Sequence, residues 1–188
     1  YLFTGKMYNE ATIASTSGLI DVETKGYSKE IFDKLNLDRN VMCELVQPGT
    51  QVGTLTKAIQ EETGLGPIPI IAVGSHDTAS AVVGAEIEKE DEMYLVCGTW
   101  CLMGLEVSKA QLEEKARLSG FTNEGSAKGK VRLLKNINGL WILQQLKKCL
   151  NDKGLKVDFP DIIEEARKVN HEYAIDIADE RFMAPTNM

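Results

Sequence analysis

The chain has 188 residues, 43% hydrophobic and 26% charged, and its 21 basic against 28 acidic side chains leave a net charge of −7. That balance argues against a polyanion-binding surface, and so against nucleic acid as a partner. Ordinary glycine, proline and aromatic contents set disorder and collagen-like repeats aside, and no stretch reaches the ~20 apolar residues of a membrane helix, so no membrane partner is expected.

The length admits one large domain or two small ones. Tyr1 falls inside what reads as a folded segment, with no signal peptide, so the expectation is a piece of a longer protein. Tyr27, Ile31, Phe32 and Leu35 recur at helical spacing behind Ser28, a suitable cap. A second helix is predicted from about Thr54 to Thr63, ended by Gly64. Pro67 and Pro69 then lead into Ile68 to Val73, uncharged and β-branched, which predicts a buried strand. That strand stops at Gly74-Ser75-His76-Asp77, and Thr78 to Gly84 reads as the start of a helix. The order strand, polar loop, helix puts the loop at the carboxyl edge of a sheet, where open α/β sheets place ligands.

Glu86 to Glu92 forms a short charged link, either a domain boundary or a solvated turn. Strands are expected at Met93 to Val96 and Cys101 to Glu106, joined through Cys97-Gly98-Thr99-Trp100, and again near Gly120 to Asn123 and Lys130 to Leu134. A helix from about Ile137 to Cys149 carries Leu140, Leu143, Gln144 and Lys147 at helical spacing, with Gly154 beyond its end. A last helix begins near Pro160. The four cysteines are too sparse for a disulfide scaffold and favour a reducing, cytoplasmic setting; Cys97 and Cys101, in C-x-x-x-C spacing, read as small buried residues rather than a redox or zinc pair.

Three segments carry candidate chemistry. Asp77 is sited as a general base, or alternatively as a cap on the helix that follows. His76 beside it is either structural or a contact for a polar ligand, and three consecutive residues Ser75, His76 and Asp77 cannot form a hydrolase triad among themselves. Gly98-Thr99 is a turn small enough for backbone to approach a phosphate, or an ordinary hairpin turn. Lys135-Asn136-Ile137-Asn138-Gly139 is a polar run expected just before a helix, first a cap and second a ligand contact. Trp100 and Trp141 read as packing rather than a sugar platform.

Taken in order, Y-L-F-T-G-K at 1–6, S-H-D-T-A-S-A-V at 75–82, G-T-W-C-L-M-G-L-E at 98–106, F-T-N-E-G at 121–125 and L-L-K-N-I-N-G-L-W-I-L-Q at 133–144 resemble the FGGY carbohydrate kinases over nearly the whole chain. The resemblance implies an α/β, actin-like (ribonuclease-H-type) fold, with this chain spanning the junction of two α/β domains, residues 1–87 on the sugar side and 88–188 on the ATP side. It implies ATP and Mg²⁺ as the phosphoryl source and a small ketose as acceptor. Asp77 matches the family's catalytic base, His76, Thr78 and Asn136 match sugar contacts, and Thr99 and Gln144 match ATP contacts. It also implies phosphate-binding and adenosine-binding segments outside these 188 residues, so the piece by itself is expected to be inactive.

Overall fold

The structure, a computed structural model, describes residues 1–87, 89, 91–170, 173–177 and 179–182. Glu88 and Glu90 of the charged link, and with them the expected boundary at 87/88, lie outside the described residues. In chain order the elements are β1 (Tyr8–Glu10), α1 (Ala11–Ala14), α2 (Lys29–Leu35), β2 (Glu44–Val46), β3 (Gln51–Thr54), α3 (Lys57–Thr63), β4 (Pro69–Ile71) and α4 (Asp77–Gly84). There follow β5 (Met93–Cys97), β6 (Trp100–Val107), α5 (Glu114–Leu118), β7 (Thr122–Gly125), β8 (Val131–Asn138), α6 (Trp141–Asp152) and α7 (Phe159–Lys168).

Local sequence explains several helix ends. The Ser28 hydroxyl accepts from the Ile31 amide and opens α2, and the Thr56 hydroxyl accepts from Ile59 and opens α3. Gly64 closes α3 at φ +71°, in the left-handed region that glycine enters without steric cost. Asp158 and Asp161 form a reciprocal capping box at α7, with Pro160 in its first turn.

β1 and β2 pair in parallel, Tyr8 opposite Glu44; β3 and β4 pair antiparallel, Gln51 opposite Ile71, with a register shift between Gln51 and Gly53. The remaining strands form a sheet in the order β5-β6-β8-β7, in which β7 and β8 are antiparallel with Glu124 opposite Arg132. The chain divides into two compact units: Tyr1–Tyr94 with Gly104–Leu134, and Leu95–Met103 with Lys135–Met188. The first packs Phe32, Val46, Leu55, Ala79, Val82, Tyr94, Val131 and Leu134 out of solvent. Burying these apolar surfaces contributes about 25 cal/mol per Å² removed from water.

Three expectations are corrected here. The segment Ile68 to Val73 is not buried: Ile71 is 47% and Val73 69% exposed, because β4 has only β3 as a partner strand. Cys97 is exposed while Cys101 is buried, because adjacent strands present them differently to the interior. Lys135 to Asn138 continue β8, and the helix begins only at Trp141; the β-branched and apolar residues around Asn136 extend the ladder beyond the expected strand end at Leu134.

Candidate active site

Ser75, His76 and Asp77 lie on the turn into α4, and contacts from distant segments hold that turn. Glu10, at the end of β1, accepts from the Thr12 amide at 2.8 Å and the Thr12 hydroxyl at 2.5 Å, which also caps α1. The same carboxylate accepts from the Ser75 amide at 3.0 Å and the Ser75 hydroxyl at 2.7 Å. The His76 amide then donates to the buried Thr12 hydroxyl at 3.1 Å. Burial acts to raise the Glu10 pKa, but the hydrogen bonds from Thr12 and Ser75 outweigh it and hold the carboxyl below its ordinary value. The loop between β4 and α4 is thus anchored by side chains 64 and 65 residues away.

His76, rather than Asp77, caps α4: its Nδ1 accepts from the Ala79 amide at 3.3 Å. Asp77 occupies the first helical position, and its Oδ1 accepts from the Thr78 amide at 2.6 Å and the Thr78 hydroxyl at 3.3 Å. Its side chain is exposed, whereas Thr78 is buried. An exposed carboxylate on a fixed helix start, beside an imidazole, is suited to accept a proton from an incoming hydroxyl.

Beneath the loop lies a buried polar cluster on β6, β7 and β8. Arg132 is 0% exposed; it forms an ion pair with Glu124 at 2.8 Å, donates from Nε to the Gly125 carbonyl at 3.1 Å, and places Nη2 3.0 Å from His76 Nδ1. The buried Glu106 accepts from the Ser126 hydroxyl and has the Lys128 ammonium 3.8 Å away. Burial pushes the Tyr94 hydroxyl up to about 12, with the Arg132 cation pulling the other way. Sequence reasoning missed Glu10, Thr12, Glu124 and Arg132. One signal was available: Arg132 stands between Val131 and Leu133-Leu134, a lone charge inside an apolar strand, and such a charge needs a buried partner.

In the second unit, Gly98 and Thr99 form the turn between β5 and β6, as expected from their small size. Their carbonyls accept from the Leu140 and Trp141 amides, each at 3.0 Å, and so finish the amino end of α6 with no side-chain cap. The Gln144 amide donates to the Thr99 hydroxyl at 3.4 Å, which brings these two candidates together. Asn136 stands on β8 with its side chain exposed. Among the described residues no cluster of three or more His, Cys, Asp or Glu could hold a metal ion. No helix of the described residues is long and apolar enough to cross a membrane.

Two family models match the chain: the N-terminal domain of the FGGY family of carbohydrate kinases over residues 1–84, and the C-terminal domain of the same family over residues 93–188. The chain belongs to the FGGY family of carbohydrate kinases. A rhamnulokinase of Bacteroides thetaiotaomicron is 40% identical over 166 residues, covering 88% of this chain and 33% of that protein. A rhamnulokinase of Enterococcus faecalis is 36% identical over 188 residues, covering 100% of this chain and 38% of that protein. The chain therefore spans between a third and two fifths of the length of these relatives. A ligand-bound xylulose kinase from Lactobacillus acidophilus superposes with a TM-score of 0.71 at 18% identity, over 88% of this chain and 33% of that one. At that identity the likeness concerns the fold, which is the actin-like α/β fold of FGGY kinases.

Proposed function

We propose that the full-length protein containing this chain is a rhamnulokinase, which transfers the γ-phosphoryl group of MgATP to O1 of L-rhamnulose and yields L-rhamnulose 1-phosphate and ADP. Similarity to rhamnulokinases at 36–40% identity supports the substrate. The observation that carries the chemistry is the exposed Asp77 carboxylate at the first position of α4, on a loop held by Glu10 and Thr12.

Asp77 takes the proton from O1 as that oxygen attacks the γ-phosphorus, and the bond to the bridging oxygen of ADP breaks. His76 and Thr78 on the same turn contact the ketose, and Asn136 is assigned a sugar contact on the family resemblance alone. Thr99 and Gln144 contact ATP, the Thr99 hydroxyl as a donor to phosphate oxygen. Mg²⁺ would come with the nucleotide rather than be held by a cluster of this chain's described residues, and would supply neutralisation of the charge that develops on the phosphates. We place the boundary between the sugar-side and ATP-side domains at 87/88, in the interval between the two family matches. The 188 residues alone are inactive in this reading, since positioned phosphates need more of the kinase than they contain. Cytoplasmic residence fits four cysteines that are all free thiols.

The test is ADP release by the full-length protein with MgATP and a panel of ketoses and deoxy sugars. L-rhamnulose is expected to give the highest kcat/KM. A higher value for another ketose would reassign the substrate, and no turnover on any sugar would remove the kinase reading.

A further inference from the structure

We propose that Arg132 is a positioning residue that fixes which nitrogen of His76 carries the proton, so that this imidazole can only donate to the sugar and Asp77 alone is left to accept a proton. The substrate in this statement rests on the sugar-kinase reading; the geometry does not.

A neutral imidazole has one N–H donor and one lone-pair acceptor, and its surroundings choose between the two tautomers. Two groups approach His76 Nδ1, Arg132 Nη2 at 3.0 Å and the Ala79 amide at 3.3 Å. Both are donors in every state they can adopt. A guanidinium carries five N–H groups and no acceptor and keeps its charge in proteins, and a main-chain N–H only donates. Nδ1 must therefore present its lone pair, which leaves the hydrogen on Nε2.

The cation that makes the shorter of these two contacts cannot swing away. Arg132 is fully buried, its Nε donates to the Gly125 carbonyl at 3.1 Å, and its Nη2 is paired with Glu124 at 2.8 Å. Glu124 and Arg132 face each other directly across the β7–β8 ladder, an arrangement in which opposite charges support the pairing. The charged groups around the imidazole are thus Arg132 from β8, Glu124 from β7 behind it, Asp77 next in the chain, and Glu10 from β1 through the neighbouring Ser75. The His76 main-chain amide is held separately by Thr12.

The chemical consequence is a division of labour between adjacent residues. An imidazole whose lone pair is occupied by two donors cannot compete for the proton of an incoming hydroxyl. Its Nε2–H can only be given to a lone pair, such as that of a sugar hydroxyl or carbonyl oxygen. Asp77, with both of its protein contacts on Oδ1, remains the proton acceptor.

The experiment is ¹⁵N NMR of the full-length protein labelled in histidine, with the His76 signals assigned by their loss in His76→Gln. The expected spectrum of the unmodified protein shows Nδ1 unprotonated and Nε2 protonated, without sugar as well as with it. Arg132→Met removes the nearer of the two donors and leaves only the longer 3.3 Å bond from the Ala79 amide, and we expect a mixture of tautomers and a rise in KM for the sugar of about tenfold or more, with KM for MgATP within about twofold of its original value. Arg132→Lys, which keeps a cationic N–H, is expected to restore most of both. Should Arg132→Met fail to fold, the spectrum of the unmodified protein and the Lys variant decide. A proton on Nδ1 in the unmodified protein, or a folded Arg132→Met with unchanged tautomer, overturns the proposal. The tautomer is read without turnover, so a protein that shows it and phosphorylates no sugar supports this geometry while refuting the kinase reading.

Discussion

The starts of α4 and α6 both carry candidate ligand contacts, and they are finished by different chemistry. At α4 the cap is a side chain, His76, and the loop before it hangs on Glu10 and Thr12. At α6 the caps are the main-chain carbonyls of Gly98 and Thr99, and no side chain is used. The first arrangement depends on the identity of several side chains far apart in sequence, so a single polar deletion can undo it. The second depends on the close approach of backbones, so it tolerates changes of side-chain chemistry but not of volume. The difference separates a corner held by distant side chains from a turn held by main-chain carbonyls.

The largest expected effect belongs to the first corner. Arg132→Met leaves the partly buried Glu124 without its cation, and removing one partner of a buried pair costs up to about 3–5 kcal/mol. Denaturant unfolding measures this, and adding Glu124→Leu to the same protein should recover part of the loss. A cost below about 1 kcal/mol, the range of exposed pairs, would mean that the corner does not depend on its side chains.

Next comes Thr99→Val at the second corner. The carbonyl that caps α6 stays, so the melting temperature should hold, while the lost hydroxyl raises KM for ATP about tenfold or more, the effect of a hydrogen bond to a charged group. A shift in the sugar KM instead would detach Thr99 from the nucleotide.

Volume gives a smaller effect. A Cβ on Gly139 would sit 2.6 Å from Cys101 Sγ and 2.7 Å from the Gly98 carbonyl oxygen. Gly139→Ala should therefore cost about 1–3 kcal/mol through overpacking, and should raise KM for ATP by displacing the turn. Gly104→Ala, where the Cβ would meet the Leu133 carbonyl oxygen at 2.6 Å, should cost a similar amount with KM for ATP unchanged. Equal changes in KM for both variants would erase the contrast.

The smallest effect is a pH dependence at the first corner. The folded-state pKa of Glu10 is lowered, so its contribution to stability is present above the unfolded value and is lost as pH falls through the folded one. Melting temperatures of the unmodified protein and of Glu10→Gln should differ at neutral pH and converge below the ordinary glutamate range, about pH 4.3. A gap that widens on acidification would contradict the direction of the shift.

How much of this was legible in the sequence follows the same contrast. Caps that use short local rules could be read directly: Ser28 at α2, Gly64 after α3, Pro160 in α7 and the Gly98-Thr99 turn. The S-H-D-T-A-S segment showed where to look, but the cap proved to be His76, because an imidazole nitrogen can accept from the third residue on just as a carboxylate can. Glu10 and Thr12 stayed hidden, since pairings across 64 and 65 residues leave no periodic trace, and the lone charge of Arg132 in an apolar strand does not by itself say that its partners are Glu124 and, 56 residues away, His76. The exposed β4 was misjudged for a related reason: its apolar composition reports a capacity for burial, and burial itself depends on what pairs and packs with the strand.

The central claim is that neighbouring residues on one turn hold opposite roles, Asp77 accepting a proton and His76 only donating. The most direct test compares kcat for Asp77→Asn and His76→Gln in the full-length protein, with thermal melts to show that both are folded. Asparagine keeps a side-chain oxygen at Asp77 but accepts no proton, so kcat should fall about 10²–10⁴-fold. Glutamine at position 76 should raise the sugar KM and leave kcat within about tenfold of the original, as expected for lost binding rather than lost proton transfer. Equal losses of kcat, or a greater loss at His76, would contradict the account.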